Sequence, residues 1–326
     1  MIIPTIIFLI SLISTLLVMP WLIRYLKRIG LLVKDQNKKD KPLIPISGGL
    51  AVMGGIFLGL MSYISIRIFA YNDTSSLLYF FAAITTILLI SVVGFIDDSI
   101  IKRNKNASTG LKQWQKPLLT LIAAIPLVAI KAGTSTISVP LFGSINFGIL
   151  YPLLIVPLLI MFLSNAVNLL AGFNGLEAGM GLIYTGMLGL YAYVNGSYVA
   201  AMIALTTFAS LIAFLKFNWF PAKIFPGDSL TYLLGAALAC IAILGNMEKA
   251  VLIVSIPFLI EFILKARSRF KAQSFGYWKN SKIQSLYENK VYSLTHIFTR
   301  TGKFTEKQIV IFLMIIELIF CLLIWI

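Results

Sequence analysis

The sequence predicts an all-α, polytopic integral membrane protein with about ten transmembrane helices. Of its 326 residues, 59% are hydrophobic and only 12% are charged, whereas an ordinary soluble domain has roughly 25% charged residues. Apolar runs near the ~20 residues needed to cross a bilayer follow one another along the whole chain. Lys and Arg residues gather in alternate connections between these runs. The chain 1–326 is therefore expected to form a single membrane domain.

The apolar runs are bounded by charged residues or by clusters of Gly, Pro and Asn. The first run precedes its basic residues, Arg24, Lys27 and Arg28, so we interpret it as a retained helix and not as a cleaved signal peptide. The run at 117–131 is short for a span by itself. The predicted spans are 4–26, 48–67, 77–97, 117–131, 149–167, 178–194, 197–215, 228–245, 250–265 and 308–326.

The positions of the cations predict the orientation of the spans. If the spans alternate, only Arg67, Lys131 and Lys249 among the 27 Lys and Arg residues lie on one side. By the positive-inside rule the other side is cytoplasmic, and both termini face outward. The net charge of +15 then reflects topology, and no nucleic-acid partner is expected because its aromatic and basic signatures are absent. The predicted cytoplasmic loops are about 27–47, 98–116, 165–178, 216–227 and 266–307.

On the outward side, the segment 132–148 alternates polar and apolar residues well enough to predict a short hairpin. The unusual polar clusters all lie on the predicted cytoplasmic side instead. This asymmetry predicts a site that opens to the cytoplasm.

Two adjacent carboxylates mark the cytoplasmic end of the third span. The chain has only 12 acidic residues, yet Asp97 and Asp98 directly follow an apolar run. Ionisable residues at membrane depth are costly and are usually functional. The alternative is a pair of solvated residues at a helix end, although carboxylates there would oppose the macrodipole. Neighbouring helical residues point about 100° apart, so the two carboxylates should face different partners.

Three further residue sets are candidates for phosphate binding. Lys41 and the pair Gly48-Gly49 lie before the second span, where glycines let backbone N–H groups approach a phosphate. The alternative is a helix start packed closely on a neighbour. Lys116 precedes the fourth span, where its ammonium group either contacts a phosphate or snorkels to the interface.

Amides and glycines gather in the segment 165–179, which contains Asn165, Asn168, Asn174 and Glu177. Unpaired amides in hydrocarbon are costly, so this cluster needs a partner. Asn side chains can ligate Mg²⁺ or hydrogen-bond to a nucleobase. The alternative is that they join helices to one another.

Asp228 stands at a predicted helix start, where it either caps the helix or ligates a metal ion. Phe225 beside it faces the membrane or stacks on a base. His296 is the single histidine, and lone histidines are more often structural, but Arg300 and Lys303 nearby favour an anion site. Together the clusters predict an Mg²⁺-assisted reaction on phosphates.

The order of these motifs resembles a known enzyme family. Asn165-Ala-Val-Asn-Leu-Leu-Ala-Gly-Phe-Asn-Gly-Leu-Glu-Ala-Gly179 and Asn218-Trp-Phe-Pro-Ala-Lys-Ile-Phe-Pro-Gly-Asp228 carry the resemblance. The chain is similar to the polyprenyl-phosphate N-acetylhexosamine-1-phosphate transferases (glycosyltransferase family 4). It looks closest to the eukaryotic and archaeal UDP-GlcNAc:dolichyl-phosphate branch, since the muramoyl branch has aspartates at the positions of Ala171 and Asn174.

The resemblance implies a ten-helix enzyme of the plasma membrane with a cytoplasmic catalytic face. It implies transfer of GlcNAc-1-phosphate from UDP-GlcNAc to a polyprenyl (dolichyl) phosphate with release of UMP, a first membrane step of lipid-linked glycan assembly. Mg²⁺, with Mn²⁺ as a substitute, is implied as the cofactor, and a homodimer is left open. The alternatives are another donor, such as UDP-MurNAc-pentapeptide or UDP-GalNAc, or a lipid or solute transporter, for which only Glu261 and Glu317 lie near mid-span.

The resemblance also implies residue roles. Asn168 and Asp228 would bind the metal ion. Asn174 and Phe225 would hold uracil, Lys116 would contact phosphate, and Asp97 and Asp98 would act at the reaction centre, with Asp97 on the lipid phosphate. Lys41, Gly48, Gly49, Glu177 and Arg300 are the other expected substrate-binding residues, and His296 is an expected catalytic one. The chain departs from the family at Thr295-His296-Ile297, where relatives carry more basic residues.

Overall fold

The fold is that of a computed structural model, which describes residues 2–103, 110–139 and 143–326. A π-helical turn, Tyr151–Ile155, leads into α6, and a 3₁₀ turn, Leu323–Trp325, follows the last helix. The helices are α1 (Ile2–Arg28), α2 (Gly49–Tyr71), α3 (Leu77–Arg103), α4 (Gln115–Ile122), α5 (Ile125–Ala129), α6 (Val156–Leu169), α7 (Leu176–Val194), α8 (Tyr198–Asn218), α9 (Asp228–Gly245), α10 (Glu248–Val254), α11 (Ile256–Arg267), α12 (Leu294–Thr299) and α13 (Glu306–Leu322).

Seven helical segments in these described ranges are long and apolar enough to cross a membrane. The protein is therefore a polytopic membrane protein, as its composition predicts. The seven segments are Ile2–Arg28, Gly49–Tyr71, Leu77–Ile100, Tyr151–Leu169, Tyr198–Asn218, Asp228–Gly245 and Glu306–Trp325.

The remaining predicted spans are helical but have a different form. The run at 178–194 lies in α7, whereas 117–131 forms α4 and α5, and 250–265 lies in α10 and α11. Pro126 and Pro257 each occupy the first turn of the second helix in their pair. Proline lacks a backbone N–H and ends the preceding helix, which explains both breaks.

The helix α3 continues to Arg103, beyond the boundary that the hydropathy predicts. Asp97 and Asp98 consequently lie inside the helix, and both side chains are fully buried. The alternative of solvated helix-end residues is wrong. In the predicted loop 98–116, residues 104–109 lie outside the described residues.

In the part of the chain that the structure describes, three antiparallel hairpins lie between helices. In the first, β1 (Leu32–Lys34) pairs with β2 (Leu43–Pro45), with Val33 opposite Ile44. The hairpin expected in 132–148 is confirmed by β3 (Thr136–Val139) and β4 (Gly143–Asn146), although Pro140, Leu141 and Phe142 lie outside the described residues. The third, β5 (Tyr277–Lys279) with β6 (Lys282–Gln284), belongs to the long loop before α13.

The helix α9 lies at the centre of the bundle, where nearly all of it is buried, whereas only a small part of α1 is buried. Small residues allow this enclosure. A Cβ atom at Gly235 would overlap the backbone of Leu163 and Ser164 in α6. Glycine is thus required for the close approach of α6 and α9, the helices that carry Asn168 and Asp228.

Substituting Gly235 by Ala should destabilise the protein by about 1–3 kcal/mol, because the added methyl group overpacks a backbone contact. Gly54→Ala is the matched control, since a Cβ atom there meets no atom within 4 Å. Thermal unfolding in detergent measures both variants. An equal melting temperature for Gly235→Ala and the wild type would contradict the close packing of α6 and α9.

Candidate active site

Three charged side chains from different helices meet at the start of α9. Lys116 at the start of α4 places its Nζ 2.7 Å from Oδ2 of Asp97 in α3 and 2.9 Å from Oδ2 of Asp228. The backbone N–H of Leu111 donates to Oδ1 of Asp97 at 2.6 Å, and the Tyr232 hydroxyl donates to its Oδ2 at 3.2 Å. The buried Asp97 carboxylate is thereby fully partnered, as a buried charge must be.

The electrostatic environment keeps Lys116 protonated. Burial by itself lowers the pKa of Lys116, but the carboxylates of Asp228 and Asp97 outweigh burial and raise that pKa above its ordinary value. Its side chain is 24% exposed. Lys116 is therefore a fixed positive charge with access to a ligand beside Asp228.

Asp98 faces away from this cluster, as the 100° helical rotation predicts. Its Oδ1 accepts the backbone N–H of Asp228 at 2.8 Å. Its Oδ2 accepts the Ser47 hydroxyl at 2.7 Å and the backbone N–H of Ser229 at 3.3 Å. Asp98 thus caps α9 from another helix, where its oxygens accept N–H groups that a helix start leaves unpaired.

The predicted role of Asp98 at the reaction centre stays a prediction, and the structure gives this residue a second role. Both of its oxygens are occupied, and the side chain is fully buried. Gly227 adjoins it with a φ of 71°, and a Cβ atom there would overlap Oδ2 of Asp98. Asp98 is a positioning residue that fixes the start of α9 and hence Asp228.

A cavity of about 410 Å³ adjoins the charged cluster through Asp228. Of the predicted site residues, it brings together Asn168, Glu177, Phe225 and Asp228. Its other walls come from β1 and the residues after it, from the loop between α6 and α7, and from the segment before β5. The size and mixed polarity suit part of a small-molecule substrate.

Asn168 and Asp228 fit a divalent metal ion by the chemistry of their donors. Both line the cavity, and Oδ1 of Asn168 accepts the Thr231 hydroxyl at 3.0 Å. In the described parts of the chain, no group of three or more His, Cys, Asp or Glu could hold a metal ion. Two hard oxygen donors are nevertheless what Mg²⁺ takes from a protein when water and substrate phosphates complete its shell.

The phosphate cradle expected at Gly48 and Gly49 stays a prediction, because their N–H groups bind backbone in this structure. Their backbone N–H groups donate to the carbonyls of Phe225 and Pro226, at 2.9 and 3.1 Å. A Cβ atom on Gly49 would overlap the backbone of Leu230. The glycines therefore serve the alternative role, which is close packing of the start of α2 on the start of α9.

Asn174 and Glu177 differ in their relation to the cavity. Nδ2 of Asn174 donates to Oδ2 of Asp35 at 3.1 Å, and its backbone N–H donates to Oε1 of Glu306 at 2.9 Å. Asn174 is buried behind the cavity wall and is not one of its lining residues. Glu177 lines the cavity, and its Oε1 accepts the Gly172 N–H at 2.8 Å. One oxygen of Glu177, Oε2, is buried without a hydrogen-bond partner among the described residues.

The sequence pattern does not predict the polar residues that hold the wall of the cavity beside Asp228. Nδ2 of Asn37 donates to the Gly172 carbonyl at 2.8 Å, and its Oδ1 accepts the Gly276 N–H at 3.2 Å. Lys38 pairs with Asp35 and with Glu306. Asp35 and Asn37 lie within a run of lysines that predicts a solvated loop, and their only distinguishing signal is that they interrupt the basic charge.

The structure places His296 inside the long loop and not in the cavity. Its ring is fully buried, with Nε2 2.9 Å from the Gln273 carbonyl and Nδ1 accepting the Tyr292 N–H at 3.2 Å. Burial lowers the pKa of His296 to about 4, so the ring is neutral at pH 7. The catalytic role of His296 stays a prediction; in this structure both ring nitrogens bond to backbone. Through Gln273, which lines the cavity, His296 positions part of the wall.

Lys41 and Arg300 stay outside the cavity. Lys41 is exposed before β2, and Arg300 is exposed at the end of α12. Neither belongs to the lining residues. Their predicted contacts with substrate remain predictions.

The sequence is similar to proteins whose family is known. Residues 80–246 match the family Glycosyl transferase family 4. Over 318 residues the chain is 40% identical to a Saccharolobus solfataricus protein provisionally named UDP-N-acetylglucosamine–dolichyl-phosphate N-acetylglucosaminephosphotransferase, covering 96% of this chain and 92% of the relative. The Dictyostelium discoideum protein of that name is 25% identical over 332 residues, covering 87% and 78%. A phospho-N-acetylmuramoyl-pentapeptide-transferase of Latilactobacillus sakei is 32% identical over 255 residues, covering 76% and 77%.

Replacing Asp98 by Ala should destabilise the protein by several kcal/mol, because it leaves the Ser47 hydroxyl and two N–H groups of α9 buried without an acceptor. Asp40→Ala, at an exposed carboxylate, is the control. Thermal or denaturant unfolding measures the difference. If Asp98→Ala unfolds like Asp40→Ala, Asp98 does not hold α9.

The buried histidine should make stability depend on pH in a defined window. The pKa of His296 is about 4 when folded and 6.5 ordinarily, so only the unfolded chain takes up a proton between these values. The stabilisation from the neutral ring is complete above pH 6.5 and is lost as the pH falls towards 4.

Melting temperatures of wild type and His296→Gln across this pH range test the assignment, since glutamine does not titrate. The difference between the two curves should narrow as the pH falls. A constant difference would show that His296 is not held neutral.

Proposed function

Because this chain belongs to glycosyl transferase family 4, we propose that it transfers N-acetylglucosamine-1-phosphate from UDP-N-acetylglucosamine to dolichyl phosphate. The relatives that are similar over nearly the whole chain carry the name of this activity. The observation that carries the proposal is Lys116, held between Asp97 and Asp228 at the edge of a cavity that Asn168 also lines.

In the proposed reaction, an oxygen of dolichyl phosphate attacks the β-phosphorus of the nucleotide sugar. A new phosphorus–oxygen bond joins lipid and sugar phosphate, the bond to the bridging oxygen breaks, and UMP leaves with that oxygen. Lys116 neutralises charge on the reacting phosphates. Asp97 is fully buried, so it acts by orienting Lys116, and Phe225 on the cavity wall offers its ring to uracil.

The charges at the site support a role for a divalent cation. Asp97, Asp228 and Lys116 together carry a net charge of about −1, which by itself repels an anionic diphosphate. Asn168 and Asp228 would hold Mg²⁺, or Mn²⁺ in its place. When bound, the ion supplies positive charge that neutralises the diphosphate as its bond breaks.

We infer the membrane topology from the cations and the helices together. The broken pairs α4–α5 and α10–α11, with α7, bring the helical crossings to ten. Both termini then face outward, and the start of α9 lies on the cytoplasmic side of the plasma membrane. The near absence of Lys and Arg from the opposite side supports this orientation.

Other donors and another class of function remain as alternatives. The match to the muramoyl-pentapeptide transferase favours testing UDP-MurNAc-pentapeptide beside UDP-GalNAc. A transporter would need free charges near mid-membrane. Glu261 accepts the Leu294 N–H at 2.7 Å and the Ser293 hydroxyl at 3.1 Å, so it anchors the long loop to α11. Glu317 in α13 is fully buried, and its Oε2 has no hydrogen-bond partner among the described residues, so it is the one of the two that fits this alternative.

Purified enzyme with dolichyl phosphate and Mg²⁺ should release UMP from UDP-GlcNAc and not from the other UDP-sugars. Asp228→Asn and Lys116→Met should each lower the rate at least about 100-fold, because each removes a charge that faces the reacting phosphates. Asp40→Asn is the control for an exposed carboxylate. Removing the metal with a chelator should stop turnover, and Mg²⁺ or Mn²⁺ should restore it.

Near-normal UMP release by Asp228→Asn would overturn the assignment of the site. UMP release from another UDP-sugar, and not from UDP-GlcNAc, would assign that other UDP-sugar as the donor. Solute or lipid transport without UMP release would show that the protein is a transporter and would overturn the proposed enzyme activity.

A further inference from the structure

The β1–β2 hairpin contributes to two cavities. Val33 and Lys34 in β1 line the cavity of about 410 Å³ beside Asp228, which we call the catalytic cavity. Leu43 and Ile44 in β2 line a second cavity of about 490 Å³, together with the end of α1, the end of α8 and the loop after α8. Phe225 donates its backbone N–H to the Pro45 carbonyl at 2.8 Å, so the second cavity adjoins the catalytic wall without sharing its charged cluster.

The second cavity, which we call the hairpin groove, has a strong excess of positive charge. Arg24, Lys27 and Lys223 line it, and no acidic residue does among the lining residues described. No ion pair involves these three side chains in the described part of the chain. Nε of Arg24 donates to the Pro20 carbonyl at 3.3 Å. Both terminal nitrogens of its guanidinium group have no hydrogen bond to the described residues and can bind a ligand. Three cations around one cavity repel one another and favour an anion between them.

Aromatic residues place the hairpin groove at the membrane–water interface. Trp21 and Tyr25 lie one turn apart on α1, with ring centroids 5.5 Å apart, and are 59% and 45% exposed. Tryptophan and tyrosine concentrate where the bilayer meets water. Arg24 and Lys27 belong to the same turns of α1, so their charged groups lie at the level of the lipid headgroups.

The remaining walls of the groove are apolar. Ile23, Leu43 and Phe217 line it, and Leu43 is 57% exposed although it is a large hydrophobic residue. A surface with cations at one part and exposed apolar side chains at another matches an amphipathic anion. A free phosphate would leave the apolar wall uncovered.

We propose that the hairpin groove binds an anionic phospholipid of the adjacent leaflet. The lipid phosphate lies among Arg24, Lys27 and Lys223, and the start of its hydrocarbon chain covers Ile23, Leu43 and Phe217. A zwitterionic lipid is disfavoured because its ammonium group adds a fourth positive charge beside these three. This binding needs neither substrate nor metal, so it is separable from the proposed enzyme activity.

The experiment uses the full chain in phosphatidylcholine nanodiscs that contain spin-labelled phosphatidylglycerol. The variant Arg24→Gln/Lys27→Gln/Lys223→Gln should hold the labelled lipid about 100-fold more weakly, since each Lys or Arg near a lipid surface contributes about fivefold in affinity. The matched control is Lys279→Gln/Lys290→Gln/Lys303→Gln, which removes the same charge from exposed lysines outside the groove. The control should bind like the wild type.

Three results would overturn the proposal: equal loss in both triple variants, equal retention of spin-labelled phosphatidylcholine, or displacement of the lipid by soluble glycerol phosphate at comparable concentration. If the first triple variant does not fold, Lys27→Gln and Lys223→Gln separately replace it, because both side chains are exposed. Unchanged lipid affinity in both single variants overturns the proposal as well.

Discussion

The structure of the site depends on one buried carboxylate, that of Asp98. It joins α3 to the start of α9 through two backbone N–H groups and to the segment before α2 through the Ser47 hydroxyl. Removing a carboxylate from water is expensive, and helix N–H groups with a hydroxyl donor compensate that cost. The position of α9 along its axis is therefore set by a side chain on another helix.

Close packing at this junction follows from the same constraint. A Cβ atom at Gly94 would overlap the Asp228 backbone, and one at Gly49 would overlap that of Leu230. Because the backbones approach so closely, the short side chain of Asp98 reaches the N–H groups at the start of α9. Once α9 is fixed there, Asp228 meets Lys116, and Lys116 in turn keeps the two carboxylates of Asp97 and Asp228 near one another. The charged cluster is a consequence of how the helices pack.

The sequence predicts the structural features that follow from local patterns of residues. It does not predict the features that depend on which groups the folded chain brings next to a residue. Hydropathy predicts the helical runs and alternation predicts the hairpin of β3 and β4. Glycines at a helix start look alike whether a phosphate or another backbone approaches them, so the sequence leaves both roles open for Gly48 and Gly49, and the structure shows the backbone contact. His296 beside cations suggests an anion site, but its ring points to backbone groups that only the folded loop supplies.

The wall of the cavity is held by contacts between parts of the chain that are far apart in sequence. Asn37 bonds to Gly172 and to Gly276, and Asn174 bonds to Asp35 and to Glu306. Closing the long loops between these segments costs entropy, which the contacts must offset. No local pattern could reveal Asp35 and Asn37, which look like solvated loop residues. The cavity is thus a property of the whole bundle, because its walls depend on contacts that α13 and the first hairpin make with the α6–α7 loop.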